Sequence, residues 1–111
     1  MQITIEHHDL DITDALRSYA TDKVTSLEKY ADIIKADVDL GREGHGQKGE
    51  IYFCEVHVFV SGKDFFVKRE EQDIYKAIDK VRDHLKNELT TWKDKQLSAR
   101  REDEIDESEN V

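Results

Sequence analysis

The chain has 111 residues and a formal charge of −9, from 17 Lys and Arg against 26 Asp and Glu. This length corresponds to one domain with a single modest core. The acidic total argues against indiscriminate nucleic-acid binding, which requires a positive surface. The single cysteine excludes an internal disulfide, and no apolar run approaches the ~20 residues of a membrane span. The first five residues read as a strand rather than a signal peptide, so we expect a soluble cytoplasmic protein.

The first half of the chain predicts a strand, a helix and a second strand. Ile3 and Ile5 alternate with polar residues and indicate a strand over about residues 1–7. Thr13 fits a helix N-cap, with Asp14 in the first turn where the helix dipole favours negative charge. Apolar residues then recur at helical spacing to about residue 30 and predict one buried face. They are Leu16, Tyr19, Ala20, Val24, Leu27, Tyr30 and Ala31. Residues 34–43 alternate again and predict the second strand.

The second half predicts a hairpin and a long final helix. The glycine-containing segment 44–49 is expected to be a turn or loop. Residues 50–61 form the strongest strand, because every second residue from Tyr52 to Val60 is apolar. A glycine-containing turn then leads into a short strand over residues 65–70. From about Asp73 to Lys95 the apolar side chains fall within one arc at 100° per residue, which predicts the last helix.

The predicted element order is β-α-β-β-β-α. Two amphipathic helices and a sheet with one apolar face predict an α+β fold, a two-layer sandwich with both helices on one face of a four-stranded sheet. The first two strands are joined through a helix and are able to lie parallel, whereas the others should be antiparallel. We expect one domain over residues 1–97 and a loose, disordered acidic tail over residues 98–111.

The charge is unevenly distributed along the chain. Residues 76–101 carry 8 Lys and Arg against 4 Asp and Glu, whereas residues 102–111 carry 6 acidic residues and no basic one. An acidic tail after a basic helix is a common layout of interaction tails. Two interpretations stay open: a solvated end that keeps the protein soluble, and a regulatory segment that competes with RNA for the basic helix.

No pattern of residues predicts a catalytic or metal site. Gly44, Gly46 and Gly49 spell G-x-G-x-x-G, but a strand follows them instead of the helix that a dinucleotide site requires. The five histidines form no H-E-x-x-H motif. Cys54 and His57 are three residues apart in a strand and therefore face opposite sides, and Cys54 is expected to be a small buried hydrophobe. We expect no cofactor, no metal and no enzymatic activity.

The informative feature is the set of cations on the two helices. On the last helix four lysines lie opposite the apolar arc, where they could follow a row of phosphates, and Arg82 lies near its edge. On the first helix Lys23 falls inside the apolar arc, so its stem must pack while its amine reaches out. Acidic residues share the outer face of the last helix, and an ordinary solvated face is the alternative interpretation. The four lysines are Lys76, Lys80, Lys86 and Lys93.

Segments of both helices and two strands match a known family pattern. The segments are Met1-Gln2-Ile3-Thr4-Ile5, Ile12-Thr13-Asp14-Ala15-Leu16-Arg17, Lys23-Val24, Leu27-Glu28-Lys29-Tyr30, Glu55-Val56-His57-Val58 and Asp73-Ile74-Tyr75-Lys76-Ala77-Ile78-Asp79. The last of these is similar to the family signature Asp-Met-Tyr-x-Ala-Ile-Asp. Together they resemble the ribosome hibernation-promoting factor family, also known as ribosome-associated inhibitors and formerly as sigma-54 modulation proteins. The resemblance covers roughly residues 1–97.

The resemblance implies a domain similar to double-stranded-RNA-binding modules that binds the small ribosomal subunit, in the channel for messenger and transfer RNA. Translation would then be blocked sterically under stress, with no reaction, cofactor, membrane or small-molecule substrate. The chain resembles the short, single-domain members, and we expect a monomer. Ribosomal RNA phosphates would be contacted by ten side chains. They are Arg17, Lys23, Lys29, Lys76, Lys80, Arg82, His84, Lys86, Lys93 and Lys95.

The chain departs from the family in its basic residues. Members tend to carry Lys-Leu-x-Arg-Gln-Leu-x-Lys-x-Lys-x-Lys along the last helix, and only the final two of the five basic positions are kept here. His84 is a cation only when protonated, Asn87 and Thr91 are neutral, and Ser26 replaces a frequent lysine of the first helix. Each lost phosphate contact lowers the salt slope of binding by about 0.7–0.9. Weaker binding, a shifted register and a different partner all stay open.

Three functional hypotheses follow from the sequence. The first is a ribosome-bound translation inhibitor, indicated by the two helix motifs and the basic last helix. The second is a protein-interaction module of the same fold that has lost RNA affinity, indicated by the net charge and the missing basic positions. The third, a small enzyme, has no supporting arrangement of residues.

The acidic tail leads to a prediction about salt dependence. Deleting residues 102–111 should strengthen RNA binding more at low salt than at high salt, because exposed charges are screened within ~10 Å at 0.1 M. Electrophoretic mobility shifts of a ribosomal RNA fragment at two salt concentrations measure the effect. Equal affinities of the full and truncated chains at both concentrations would exclude a competing tail.

Overall fold

The computed structural model describes residues 1–46 and 49–109, without the side chains of residues 45, 46 and 100–109. Its elements follow the predicted order, with a short 3-10 turn after the first helix. They are β1 (Gln2–His8), α1 (Asp14–Thr25), the 3-10 turn (Ser26–Lys29), β2 (Ile33–Gly46), β3 (Gly49–Val60), β4 (Lys63–Glu71) and α2 (Ile74–Glu109). None of the described helices combines the length and apolar character needed to cross a membrane.

The four strands form one sheet in the order β1-β2-β3-β4. β1 is parallel to β2, and the other two pairs are antiparallel. Val38, Val56 and Val67 lie opposite one another across three strands, and all three are buried against the helices. On the helical side, Leu27, Leu85 and Leu89 are fully buried. The predicted α+β fold, with its strand directions and its apolar sheet face, is confirmed.

The first helix begins as predicted but ends differently. Thr13 is the N-cap, and its hydroxyl accepts a hydrogen bond from the Leu16 amide at 3.1 Å. The α-helix stops at Thr25 and tightens into the 3-10 turn, whereas the sequence predicted helix to about residue 30. Ser26 explains the change, because its hydroxyl donates to the carbonyl of Lys23 at 2.5 Å and competes with the helical pattern.

The glycine-rich segment is more regular than predicted. Gly44 and Gly46 belong to β2, Gly49 begins β3, and Gly46 pairs with Gly49 across the hairpin. The expected turn or loop is therefore wrong for residues 44–46 and for Gly49, which belong to strands. Residues 47–48 lie outside the described part of the chain. Positive φ angles at Gly44 and Gly49 let the two strands remain paired through a register shift near the hairpin end.

The last helix is longer than predicted. It has 36 residues and ends at Glu109, so the predicted end near Lys95 is wrong. The sequence contains no proline, and no glycine follows Gly62, so no residue after Lys95 interrupts the helix. The segment expected to be loose, residues 98–111, is helical as far as Glu109. The predicted boundary between a domain of residues 1–97 and an acidic tail of residues 98–111 stays a prediction.

The close packing at Gly41, opposite Phe53, allows the pairing register of β2 and β3 to be tested by mutation. A Cβ atom at this residue would lie 2.5 Å from Cε1 of Phe53 and 2.9 Å from the carbonyl oxygen of His8. We expect Gly41→Ala to lower the free energy of unfolding by about 1–3 kcal/mol, through overpacking. Urea denaturation measures the loss, and Phe53→Leu in the same chain should recover part of it. An alanine variant as stable as the parent would contradict the register.

The buried thiol of Cys54 gives a second prediction. The residue is 1% exposed, and burial raises its pKa to about 12, with the charges of Asp39 and Glu55 acting in the same direction. A thiol with this pKa is almost entirely protonated at pH 8 and is a poor nucleophile. We expect Ellman's reagent to label Cys54 at pH 8 only after denaturation in urea. Fast labelling of the folded protein would show that the core around β3 opens.

Candidate nucleic-acid interface

The two helical segments meet along a seam, where α1 and the 3-10 turn lie beside α2. At the α2 N-terminal end of this seam the Tyr19 hydroxyl donates to Asp79 at 2.6 Å, and Lys23 Nζ lies 3.4 Å from the same carboxylate. Lys23 also lies over the Tyr19 ring at 5.4 Å. Its stem is packed and its amine reaches the surface, as the sequence predicted, but Asp79 offsets its charge.

Arg82 joins the two helical segments further along the seam. Its Nε donates to the Ser26 hydroxyl at 3.0 Å, and an Nη donates to the Tyr30 hydroxyl at 3.3 Å. The side chain is only 18% exposed, and Asp83 pairs with it at 3.2 Å. Ser26, where the family resemblance implied a frequent lysine, therefore holds this guanidinium in place. The sequence indicated a lost cation at this position but not the anchor that replaces it.

A basic cluster surrounds Tyr30, formed by Lys29, Arg82 and Lys86. The Arg82 guanidinium lies 5.6 Å from the centre of the Tyr30 ring, and Lys86 Nζ lies 5.5 Å from it. Partial desolvation acts to raise the pKa of Tyr30, but the hydrogen bond from Arg82 and the charges of the three cations outweigh it and lower the pKa. The hydroxyl thus lies in a region of positive potential.

Tyr19, on the same seam, shows the opposite potential. Its hydrogen bond to Asp79 raises its pKa to about 12, and burial and the charges of Asp79 and Asp73 add to the shift. The potential therefore changes along the seam, from negative beside Tyr19 to positive beside Tyr30. The positive potential that a phosphate requires is therefore found beside Tyr30.

The cations of α2 divide between two edges of the helix. At 100° per residue, Arg82, Lys86 and Lys93 fall within an arc of about 40° on the edge that carries the basic cluster. Three other predicted residues, Lys80, His84 and Lys95, line a groove between α2 and β4. One rigid phosphate row cannot contact both edges equally, so the basic cluster and the groove are separate surfaces.

The groove edge holds its cations in local pairs. Lys80 forms an ion pair with Glu71 of β4. Arg69 lies 2.9 Å from Nδ1 of His84, and because a guanidinium only donates, this nitrogen is the acceptor. Nε2 of the same ring then donates to Glu88 at 2.9 Å. His84, predicted as a conditional cation, thus links Arg69 to Glu88 through its two ring nitrogens.

The ten predicted phosphate contacts are thus not one continuous ridge. Lys23, Lys80, Arg82 and His84 each lie against a carboxylate. Lys29 and Lys86 join Arg82 in the basic cluster. The remaining residues are exposed and lie apart from it or along its edge; they are Arg17, Lys76, Lys93 and Lys95. The role of each of the ten toward RNA stays a prediction.

A further group of polar residues lies away from the helices. Ligand atoms of Glu6, His8 and Asp39, on the adjacent strands β1 and β2, lie within 4.8 Å of one another. The sequence did not indicate this group, because parallel pairing of β1 with β2 brings its members together. His8 Nε2 lies 2.7 Å from Asp39 Oδ1, and exposed acidic groups of this kind are common without a bound ion.

Comparison with known proteins identifies the family. A family model described as Sigma 54 modulation protein / S30EA ribosomal protein matches residues 3–97. The chain is 38% identical over 98 residues to the ribosome hibernation promoting factor of Azotobacter vinelandii, covering 87% of each chain. It is 35% identical over 96 residues to the factor of the same name from Salmonella typhimurium, covering 86% of this chain and 96% of the relative.

A solved structure supports the same assignment. The crystal structure of the Thermus thermophilus Protein Y N-terminal domain has a TM-score of 0.71 and 31% identity to this chain, covering 83% of this chain and 99% of that domain. The family consists of ribosome hibernation factors rather than enzymes, in agreement with the sequence prediction. From the match over residues 3–97 and from these relatives, the chain belongs to the Sigma 54 modulation protein / S30EA ribosomal protein family.

Proposed function

We propose that the protein is a ribosome hibernation factor that binds the small ribosomal subunit and occupies the channel for messenger and transfer RNA. Relatives named ribosome hibernation promoting factor, which match nearly the whole length of their chains, support the ribosome-associated role. The basic cluster of Lys29, Arg82 and Lys86 is the observation that carries the proposed contact with ribosomal RNA. The protein acts as a monomer in the cytoplasm, and inhibition is steric.

The basic cluster has the properties that phosphate binding needs. Its guanidinium is fixed by hydrogen bonds to Ser26 and Tyr30, so little side-chain freedom is lost when a phosphate binds. Its cations stand on rigid helical segments at the edge of a packed layer. Contacts of this kind recognise the shape and charge of folded RNA rather than its base sequence.

The net charge of −9 does not prevent this contact. At physiological ionic strength the Debye length is about 8 Å, so a phosphate at the basic cluster responds mainly to charges near it. The carboxylates on the far side of the sheet are separated from the cluster by a packed layer of roughly 10 Å and are largely screened, whereas Asp83 lies 3.2 Å from Arg82 and offsets part of its charge. The protein therefore needs only a local positive surface, and its overall charge limits binding to RNA elsewhere.

Neutralising two lysines of the basic cluster is the direct test. The double variant Lys29→Gln, Lys86→Gln should bind small subunits more weakly, because it removes two phosphate contacts and retains Arg82 as the helix bridge. We expect the slope of log K against log salt to fall by about 1.4–1.8. Sucrose-gradient co-sedimentation at 50, 100 and 200 mM KCl measures both the affinity and the slope.

The control changes the same number of charges on the sheet. Lys35→Gln, Lys63→Gln removes two lysines of β2 and β4 and should leave co-sedimentation within twofold of the parent. Equal losses in both double variants would indicate a net-charge effect rather than a site. A folded parent chain absent from every ribosomal fraction would exclude the proposed function altogether.

The same fold supports a second candidate, a protein-interaction module with weakened RNA binding. The observation in its favour is that four of the ten predicted cations are engaged by the protein's own carboxylates. A pull-down with the full chain, before and after nuclease treatment, separates the candidates. Ribosomal components lost after nuclease treatment favour RNA binding, whereas a specific protein retained through the treatment favours the second candidate.

A further inference from the structure

The sheet face opposite the helices, called here the open face, is strongly acidic. Both helices pack on the other face, where the buried residues of the strands lie. In the described part of the chain the open face carries seven carboxylates and two lysines. The carboxylates are Glu6, Asp37, Asp39, Glu43, Glu55, Asp64 and Glu70, and the lysines are Lys35 and Lys68. A surface of this composition attracts cations and repels phosphates.

Aromatic rings occupy the middle of the open face. His57 stacks on Phe59 with ring centres 4.1 Å apart and meets the edge of Phe66 at 5.8 Å. Phe66 is 57% exposed, which is a large exposure for an aromatic ring in a regular strand. Isolated exposed apolar residues are ordinary, but an exposed ring within a field of carboxylates can also bind a cation through its π face.

The protein already places its own cations on rings of this face. Lys35 Nζ lies 4.6 Å from the centre of the Phe59 ring, and Lys68 Nζ lies 4.9 Å from the centre of the Phe53 ring. Among the described residues, Phe66 has no such cation. The open face thus binds ammonium groups of its own chain at two rings and presents a third ring to an outside cation.

A depression beside Phe66 is lined by four carboxylates. They belong to Glu6, Asp37, Asp39 and Glu55, and the Phe66 ring forms one wall beside His57. Lys35 lies 3.8 Å from Asp37 and Lys68 lies 3.8 Å from Glu55, so the two lysines of the open face offset part of this charge. Asp39 Oδ1 is buried and lacks an aligned hydrogen bond, although His8 Nε2 lies 2.7 Å from it. Carboxylates around an aromatic wall match a planar guanidinium, which donates five N–H groups and also stacks on rings.

We propose that the open face docks a basic, extended protein segment, with one arginine side chain seated in the depression against Phe66. This inference goes beyond the contact between RNA and the basic cluster, since it concerns the opposite layer of the fold and a different class of partner. An RNA partner is disfavoured because phosphates would approach seven carboxylates. A second copy of this chain is disfavoured because two bodies of charge −9 repel.

A peptide titration with the full-length chain tests the proposal. The probe is a fluorescein-labelled nine-residue peptide of alternating arginine and glycine, and the matched probe carries glutamine in place of each arginine. Fluorescence anisotropy is recorded at 50 and 200 mM KCl. We expect saturable binding of the arginine peptide, weakened at the higher salt, and no binding of the glutamine peptide.

Two variants locate the peptide on the open face. Phe66→Leu keeps an apolar side chain but removes the π face, and should weaken binding about two- to fivefold. Asp37→Asn, Glu55→Gln neutralises two wall residues with shape retained, and should weaken binding about fivefold. The control Asp22→Asn, Asp32→Asn removes two exposed carboxylates from the helical side and should leave the peptide affinity unchanged.

Four outcomes would overturn the proposal. The first is that the glutamine peptide binds as tightly as the arginine peptide. The second is that the helical-side control loses as much affinity as the open-face variants. The third is that Phe66→Leu and the Asp37→Asn, Glu55→Gln variant both keep full affinity. The fourth is occupation of the face by another partner. Phe66-dependent binding of fluorescein-labelled oligouridylate, measured without the peptide, would indicate RNA, and a Phe66-dependent dimer in light scattering that excludes the peptide would indicate a second copy of the chain.

Discussion

Burial of one apolar sheet face beneath α2 is the interaction on which the rest of the structure depends. Alternate residues of β2 and β3 point into this layer, and Ile78, Val81, Leu85 and Leu89 of α2 close it, all 2% exposed or less. Burial of such side chains contributes roughly 1.5–3 kcal/mol each relative to exposure. Because strand side chains alternate, the same packing that fixes the inner face also fixes which residues face outwards.

The functional surfaces follow from this packing. With α2 held on the sheet, Arg82 and Lys86 are placed beside Lys29, the last residue of the 3-10 turn, and Tyr30, which follows it. The opposite face collects carboxylates from all four strands. Carboxylates on different strands are far apart in the sequence and are brought together only by strand pairing. The fold therefore concentrates carboxylates on one face and places the basic cluster on the other, and the total of −9 conceals this arrangement.

The elements were largely predictable from the sequence, because hydrophobic periodicity and an N-cap at Thr13 are local signals. The missed features depend on contacts that the spacing of apolar residues does not show. Pairing across the hairpin turned most of the expected loop over residues 44–49 into strand, and the hydroxyl of Ser26 shortened the first helix. The long extension of α2 could have been inferred from the lack of any proline or glycine, but its acidic composition suggested a loose tail instead.

The candidate site was predicted only as a set of residues, since spacing along a helix does not show which carboxylates approach from other elements. Asp79 faces Lys23 across the seam, and Glu71 reaches Lys80 from β4. His84 is held by Arg69, which no pattern in the last helix could reveal. Family membership, by contrast, was recognisable from two short helix motifs, because a shared ancestral pattern does not depend on knowing the contacts.

The bridge from Arg82 to Ser26 makes positions 26 and 82 interdependent. A lysine at position 26 would bring a second cation against the guanidinium and would remove the hydroxyl that accepts its hydrogen bond. A serine at position 26 thus gives the guanidinium a fixed acceptor, where a lysine would give it a neighbouring charge on a flexible stem. Among relatives, these two sites should consequently vary together, and a substitution that is tolerated in one lineage would be harmful in another.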